Sequence, residues 1–417
     1  MSTFDSKNYR NRLSYYEWRT IIPELEHCLD KNGQISVYMS EKANGENAQV
    51  SFVGGFEGPD GAWIDGFWVV CSKNVGLAFR DLDDVEHHFY DSRRFSYARQ
   101  ISKVWLGSIA GIAGKQLANL EVFLQKNTFI GEYCGNKTLQ HLVHYKKEEI
   151  IFYAVVPKYG SAPCLPFHES ESIFKRYGLK SVKIHKKRAK IQKIEILEKT
   201  VDNLAHQVAR SSVEEMGEGS VVYFEGYNAS ESPKTRILSI CKLKTLDYRY
   251  WRKLREKLKN YLLGKLSRKK LLDRFKSECL DLARQGGFKM CYDLNYYIDI
   301  SEKATEVIED CFITGEHLRT VYLDFLGLVK KCYDEGDREP TWQERVYFRD
   351  KDLNMDRSED EEDWNGPGGA RNGRNGVGGY DDVEEDFGEE EEESGPDDDN
   401  RKRLGRLRGI FGVFNDF

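Results

Sequence analysis

No apolar run in this 417-residue chain approaches the roughly 18–20 residues needed to span a bilayer. A membrane-crossing helix is therefore not expected. The opening "MSTFDSKNYRNRL" has no apolar stretch of the kind a secretory signal carries, so the chain is expected in the cytoplasm or nucleus and not outside the cell. Paired cysteines are missing as well. The nine cysteines are odd in number and scattered, with no C-x-x-C, which fits reduced thiols better than a disulfide scaffold or a cysteine zinc site.

Charge is plentiful but uneven. Nineteen Asp and Glu against three Arg between Asp356 and Asp399 give that stretch a net charge of −16, so the remainder of a chain whose total is −6 carries +10. A basic body joined to an acidic segment suits a polyanionic partner.

Three regions follow from the pattern. Residues 1–250 mix short apolar runs that end in Gly or polar turns, such as "AWIDGFWVVCSKN", "NTFIGEYCGN", "EIIFYAVV", "EGSVVYFEG" and "TRILSICKLK", with helix-like segments such as "FSYARQISKVWLGSIAGIAGKQLANLEVFLQ" and "SESIFKRYGL". This reads as one α+β domain. Residues 251–355 place Leu and Phe at helical spacing with Lys and Arg on the other faces, which predicts a basic all-helical domain. Residues 356–417 are rich in Gly, Asn, Asp and Glu and bury too little apolar surface to offset their ordering entropy, so a disordered acidic tail is expected. The tail ends in "RKRLGRLRGIFGVFNDF", a basic cluster and an apolar tip, the pattern of a nuclear localisation signal or a partner-binding peptide.

The chemistry begins at "MSEKANGENAQVSF", residues 39–52. Ala48, Val50 and Phe52 alternate with Gln49 and Ser51, the period of a half-buried strand, and Lys42 stands just ahead of it behind a small polar turn. A protonated lysine is no nucleophile; one reacts where burial or neighbouring positive charge favours its neutral form. The chain supplies further cations and carboxylates at strand ends. "FIGEYCG" sets Glu132 between glycines after an apolar strand, where a carboxylate can accept from sugar hydroxyls. "EGSVVYF" opens a strand with Glu218, and "SICKLKTL" puts Lys242 and Lys244 on one face of another. Taken singly, each is an ordinary strand-end Glu or a lysine guarding an edge strand. In series they make a polyphosphate site.

The ordered motifs "EKANGEN", "CSKNVG", "FIGEYCG", "IIFYAVV", "EGSVVYF" and "CKLKTLDYRYWRKLR" resemble those of the covalent nucleotidyltransferases, the ATP-dependent RNA ligases, DNA ligases and mRNA capping enzymes, over roughly residues 35–255. The phage-type RNA ligases are the nearest match. The fold this implies is α+β: an ATP-grasp-like nucleotidyltransferase domain of antiparallel sheets with helices, an all-helical C-terminal domain and a disordered acidic tail. The activity implied is an ATP-dependent RNA ligase. Lys42 attacks the α-phosphate of ATP to form lysyl-AMP, AMP passes to an RNA 5′-phosphate, and a 3′-hydroxyl expels it. The same resemblance implies that Glu41, Asn47, Lys73, Glu132, Glu218, Lys242 and Lys244 bind ATP or AMP. Glu41 would read adenine, Glu132 the ribose hydroxyls, and Lys242 and Lys244 the phosphates. Glu218 would also place the metal, Mg²⁺ or Mn²⁺. Gly45 would let the backbone turn close to the nucleotide.

The chain departs from the family at three places. Asn44 stands where K-x-D-G has Asp, Asn74 where many relatives carry Arg, and Val155 where some relatives stack an aromatic on adenine, with Phe152 and Tyr153 beside it. The first departure favours an RNA ligase over a DNA ligase or an mRNA capping-type guanylyltransferase. The basic helical continuation, in place of a small β-barrel, does the same. "YWRKLREKLKNYLLGKLSRKK" would suit an RNA backbone, where affinity comes from phosphate neutralisation. RNA ends or nicks are the implied partners. No P-loop and no paired H-x-T signature is present, so an end-healing enzyme is implied as a partner where ends carry the wrong phosphates. A non-catalytic RNA-binding protein on a ligase scaffold would lack one of the motif residues, and all are present.

Overall fold

The computed structural model of the chain describes residues 15–58, 61–88, 93–135, 142–159, 164–230, 235–284, 291–311, 313–315 and 317–348. All of them belong to the first of two compact units, Met1–Glu362; the second, Asp363–Phe417, and the tail expected at 356–417 lie outside the described residues.

Helix α1 (Tyr15–Asp30) leads into β1 (Gln34–Glu41) and β2 (Glu46–Val53). A ribbon of β3 (Phe56–Glu57) and β4 (Trp63–Ile64) precedes the hairpin of β5 (Phe67–Cys71) and β6 (Gly76–Phe79). Helices α2 (Leu82–His88), α3 (Ser96–Ile109) and α4 (Gly114–Lys126) follow, then β7 (Asn127–Cys134), β8 (Glu149–Pro157) and α5 (Phe167–Arg176). Next come β9 (Ile184–Ile191), α6 (Ile194–Arg210), the single turn α7 (Val213–Met216), β10 (Gly219–Tyr227) and β11 (Thr235–Lys244). The remaining elements are helices: α8 (Leu246–Leu262), α9 (Arg268–Arg284), α10 (Leu294–Asp310) and α11 (Leu318–Asp334).

The strands form two antiparallel sheets of order β11-β10-β1-β9 and β6-β5-β2-β7-β8. The mixed α+β architecture is the one expected. Residues 42–45 carry the chain from the last residue of β1 in one sheet to the first of β2 in the other.

Three cores hold this arrangement. The apolar stripe of α6 (Leu197, Val201, Leu204, Val208) and Leu25 of α1 pack on β1, β10 and β11, and the same core runs on through Trp251, Leu254 and Leu258 of α8 into α9, α10 and α11. The helical segment after residue 250 thus shares one continuous core with the first sheet and α6. The five-stranded sheet is backed by α3, α4 and α5 around Trp105, which meets Trp68, Phe129 and Phe152 edge-on with ring centroids 5.2, 6.5 and 6.2 Å away. Full burial of a side chain of this kind contributes about 1.5–3 kcal/mol. A smaller core joins the sheets to each other: Tyr38, Tyr223 and Ile237 come from one, Ile130, Ile151 and Ala154 from the other, and Ala43 from the crossover itself.

Two elements differ from the sequence reading. The long helix-like run before β7 is two helices, broken between Ile109 and Gly114 where glycine and alanine replace the apolar spacing. Strand β9, "IHKKRAKI", carries no apolar alternation and is held as a strand by pairing with β1.

Candidate active site

The site forms where the crossover passes the ends of β7, β10 and β11. Backbone bonds fix the crossover: Lys42 N donates to Gly219 O at 3.0 Å, and Thr245 N donates to Glu218 O at 3.1 Å. Ser212 and Glu215 cap α7 reciprocally, and the chain then reverses through Gly217 (φ 59°) and Gly219 (φ 141°), which flank Glu218. A Cβ at Gly219 would stand 2.1 Å from Leu243 O, so only glycine fits this approach of β10 to β11. Gly45 has a similar reason. A Cβ there would lie 2.2 Å from Tyr133 O, so the close approach it permits is to β7.

Glu218 is the hub. Its side chain is 4% exposed, and its Oε2 receives the Lys42 ammonium at 2.6 Å and its Oε1 that of Lys244 at 2.8 Å. Burial works against the carboxylate, but the two ammoniums outweigh it and hold its pKa below the usual carboxylate range. Asn44 supplies a further donor. Its Nδ2 donates to Glu218 Oε2 at 2.8 Å and to the Tyr248 hydroxyl at 3.1 Å, its Oδ1 accepts from Leu142 N at 3.0 Å, and its backbone N donates to the Tyr145 hydroxyl at 2.9 Å. Asn44 therefore ties the crossover to Glu218, to the segment before β8 and to the first turn of α8. That turn is itself fixed, because Thr245 caps it by accepting from Tyr248 N at 3.0 Å. The Lys244 amine also lies 5.5 Å from the Tyr248 ring centroid.

Glu132 faces this group across the gap between sheets. Burial lifts its carboxyl to about 8; the Glu218 charge adds to the rise, while Lys42 and Lys242 oppose it. Lys242 is pushed down by desolvation and then by the positive charges of Lys42 and Lys244. Lys42, Lys242, Lys244, Glu132 and Glu218 thus act on one another electrostatically. Asn47 sits opposite Glu132 in the β2–β7 register. It accepts from Gln49 Nε2 at 2.9 Å and shares a side-chain hydrogen bond with Tyr153.

Two of the sequence-derived residues stand at the periphery. Lys73 is exposed on the β5–β6 turn with Asn74, and its charge acts on Glu46, whose carboxyl burial has raised. Glu41 turns toward the other side of the crossover and accepts from Lys183 N at 3.2 Å. On β8, Phe152 and Val155 are core residues, while Tyr153, whose hydroxyl burial keeps well above its ordinary range, points toward Asn47 and Glu132. Asn44, Tyr145, Tyr153 and Tyr248 are the members that motif reading did not assign.

Among the described residues no three His, Cys, Asp or Glu side chains converge on one point. A protein cage for a metal is therefore absent from them. Both oxygens of Glu218 are taken by Lys42, Lys244 and Asn44, so a Mg²⁺ or Mn²⁺ would use this carboxylate only where Lys42 withdraws, with water and phosphate oxygens as its other ligands.

This segment is the one that relates the chain to known proteins. The model of the family described as RNA ligase matches residues 35–244, half of the chain, and the chain belongs to that family. Among solved structures it is similar to an archaeal ATP-dependent RNA ligase in two forms. Form 1 is 13% identical with a TM-score of 0.37, over 68% of this chain and 62% of that one. Form 2 is 14% identical with a TM-score of 0.34, over 66% and 60%. A lysine-to-alanine mutant of the Naegleria gruberi RNA ligase with ATP and Mn is 12% identical with a TM-score of 0.29, over 52% of each chain. The chain thus spans about three fifths of the archaeal structures it matches. No curated protein matches it.

Proposed function

We propose that this chain is an ATP-dependent RNA ligase that joins a 5′-phosphate to a 3′-hydroxyl through a lysyl-AMP intermediate. The observation that carries this reading is the convergence of Lys42, Lys242, Lys244, Glu132 and Glu218 at the crossover between the sheets, inside the segment matched by the RNA ligase family.

The first step needs a neutral amine, so Lys42 gives up a proton to water as it exchanges its contact with Glu218 for the substrate. Lys244 and Asn44 continue to satisfy Glu218 when Lys42 leaves. The Lys42 nitrogen then attacks the α-phosphorus of ATP, the bond to the β-phosphate oxygen breaks, and pyrophosphate departs. Lys242 and Lys244 neutralise phosphate charge, which is the main catalytic demand of phosphoryl-type transfer. In the second step an oxygen of the RNA 5′-phosphate attacks the same phosphorus and Lys42 leaves. In the third a 3′-hydroxyl attacks the adenylylated 5′-phosphate and AMP leaves. Glu132, with Asn47 beside it, binds the ribose, Glu41 contacts adenine, and Lys73 approaches the nucleotide from the β5–β6 turn. A divalent cation, when bound, would supply further charge neutralisation, and Glu218 would be the carboxylate to hold it. Residues 1–250 form the adenylylating domain in this reading, and 251–355 the helical domain beside it. Ends bearing other phosphates would need a separate healing enzyme.

Incubation with α-labelled ATP and a divalent cation should leave label on the protein, and Lys42→Ala or Lys42→Arg should abolish it. Label surviving in both variants would remove Lys42 as the nucleophile. Stronger labelling by GTP than by ATP would favour a capping-type guanylyltransferase.

A further inference from the structure

We propose that β9, the outer strand of the four-stranded sheet, is a phosphate track that carries the RNA backbone away from Lys42. The inference rests on the RNA ligase reading and adds where the substrate lies.

From Lys180 to Lys193 the sequence "KSVKIHKKRAKIQK" holds seven Lys and Arg and no Asp or Glu. It enters the fold at the site. Lys183 and Glu41 exchange backbone and side-chain bonds: Glu41 N donates to Lys183 O at 3.1 Å, and Lys183 N donates to the Glu41 carboxylate at 3.2 Å. Glu41 is the neighbour of Lys42, so the basic segment begins beside the nucleophile. It then follows β1 outward along the sheet edge as an antiparallel partner, with register breaks between Ile35 and Val37 and between Met39 and Ser40. Eight strand residues span about 25 Å.

Both ends of this ribbon are open to solvent. Lys183, His185, Lys190 and Lys193 are exposed, and Lys183, Lys190 and Lys193 make no ion pair among the described residues. The basic helices differ. Lys253 and Lys257 both sit on Glu278, Arg255 on Glu256, and Arg268 on Glu306 and Glu309. Helical charge is thus partly neutralised within the protein; on the sheet edge Lys180 is paired with Glu149, while Lys183, Lys190 and Lys193 are left for an outside anion. Lysines also guard edge strands against pairing. Guarding does not require the charge to run past both ends of the strand, as Lys183 and Lys193 do. A polyanion following the edge accounts for the whole ribbon.

The test combines Lys186→Gln, Lys187→Gln, Arg188→Gln and Lys190→Gln in the full chain. Three readouts are compared with the parent: self-labelling by α-labelled ATP, joining of 5′-phosphate RNA, and the salt dependence of RNA binding. Removing four contacts to a single strand should lower the slope of log affinity against log salt by about 2–3. RNA joining should fall at least tenfold while self-labelling stays within about twofold. An unchanged slope with unchanged joining would overturn the track, as would aggregation of a variant that binds RNA like the parent. If the variant fails to fold, lysine acetylation of the parent decides instead: RNA should protect Lys186, Lys187 and Lys190, and absence of protection refutes the proposal. Failure of the ligase reading would look different, because the parent itself would take up no AMP.

Discussion

Asn44→Asp tests the hub around Glu218 most sharply, because it swaps in the residue that K-x-D-G carries at almost no change in shape. The substitution puts a carboxylate oxygen where Asn44 Nδ2 now stands, 2.8 Å from Glu218 Oε2. Two unit charges about 3–4 Å apart repel by about 4–6 kcal/mol at an effective dielectric of about 20. Lys42 and Lys244 offset part of this, so a net loss of about 2–4 kcal/mol at neutral pH is expected. Asn44→Ala should cost a similar amount by a different route. It removes a hydrogen bond to a charged group, worth about 1.5–3 kcal/mol, and leaves Leu142 N unsatisfied. The two separate with pH. A proton shared between the introduced carboxylate and Glu218 restores the donor, so the Asp variant should approach the parent as pH falls into the carboxylate range, whereas the Ala variant should not. Denaturant melts across pH and AMP labelling of both variants are the assay, with labelling expected to drop at least tenfold. An Asp variant as stable and as readily labelled as the parent at neutral pH would refute the reasoning.

Three other outcomes follow from the same geometry. Glu132 titrates at about 8 in the fold, so between the ordinary carboxylate range and that value the folded chain holds more protons than the unfolded one; its contribution is greatest at low pH and is lost as pH rises. Glu132→Gln should therefore match the parent in acid and exceed its stability by a few kcal/mol above about pH 8, read by melts at both ends. Lys244→Ala removes one of the ammoniums that hold Glu218 ionised and should cost about 1–2 kcal/mol, since Lys244 is partly exposed; an unchanged melting midpoint would show that Lys42 and Asn44 suffice. Gly45→Ala forces a Cβ to 2.2 Å from Tyr133 O and should destabilise by about 2 kcal/mol or more, because β2 and β7 must part; a neutral result in a thermal melt would contradict the placement of the crossover.

Much of the site was legible because its residues lie at strand ends with simple signals. The Ala48/Val50/Phe52 alternation marked β2 and so placed Lys42 just before it, and the Lys242/Lys244 spacing marked one face of β11. Strand β9 was not legible, since its residues are dominated by charge and its pairing comes from the neighbouring β1. The role of Asn44 was equally hidden. Its partners Leu142, Glu218 and Tyr248 lie 98, 174 and 204 residues away, and no local pattern reports contacts of that separation. Phe152 and Tyr153, by contrast, follow simple strand alternation, Phe152 facing the core and Tyr153 the site.

Peptide mapping by mass spectrometry after incubation with ATP and Mg²⁺ tests the central claim most directly. The account predicts one AMP adduct, on Lys42, that disappears when RNA bearing a 5′-phosphate and a 3′-hydroxyl is added and joined. An adduct on another lysine, or an Lys42 adduct that RNA ends never discharge, would contradict it.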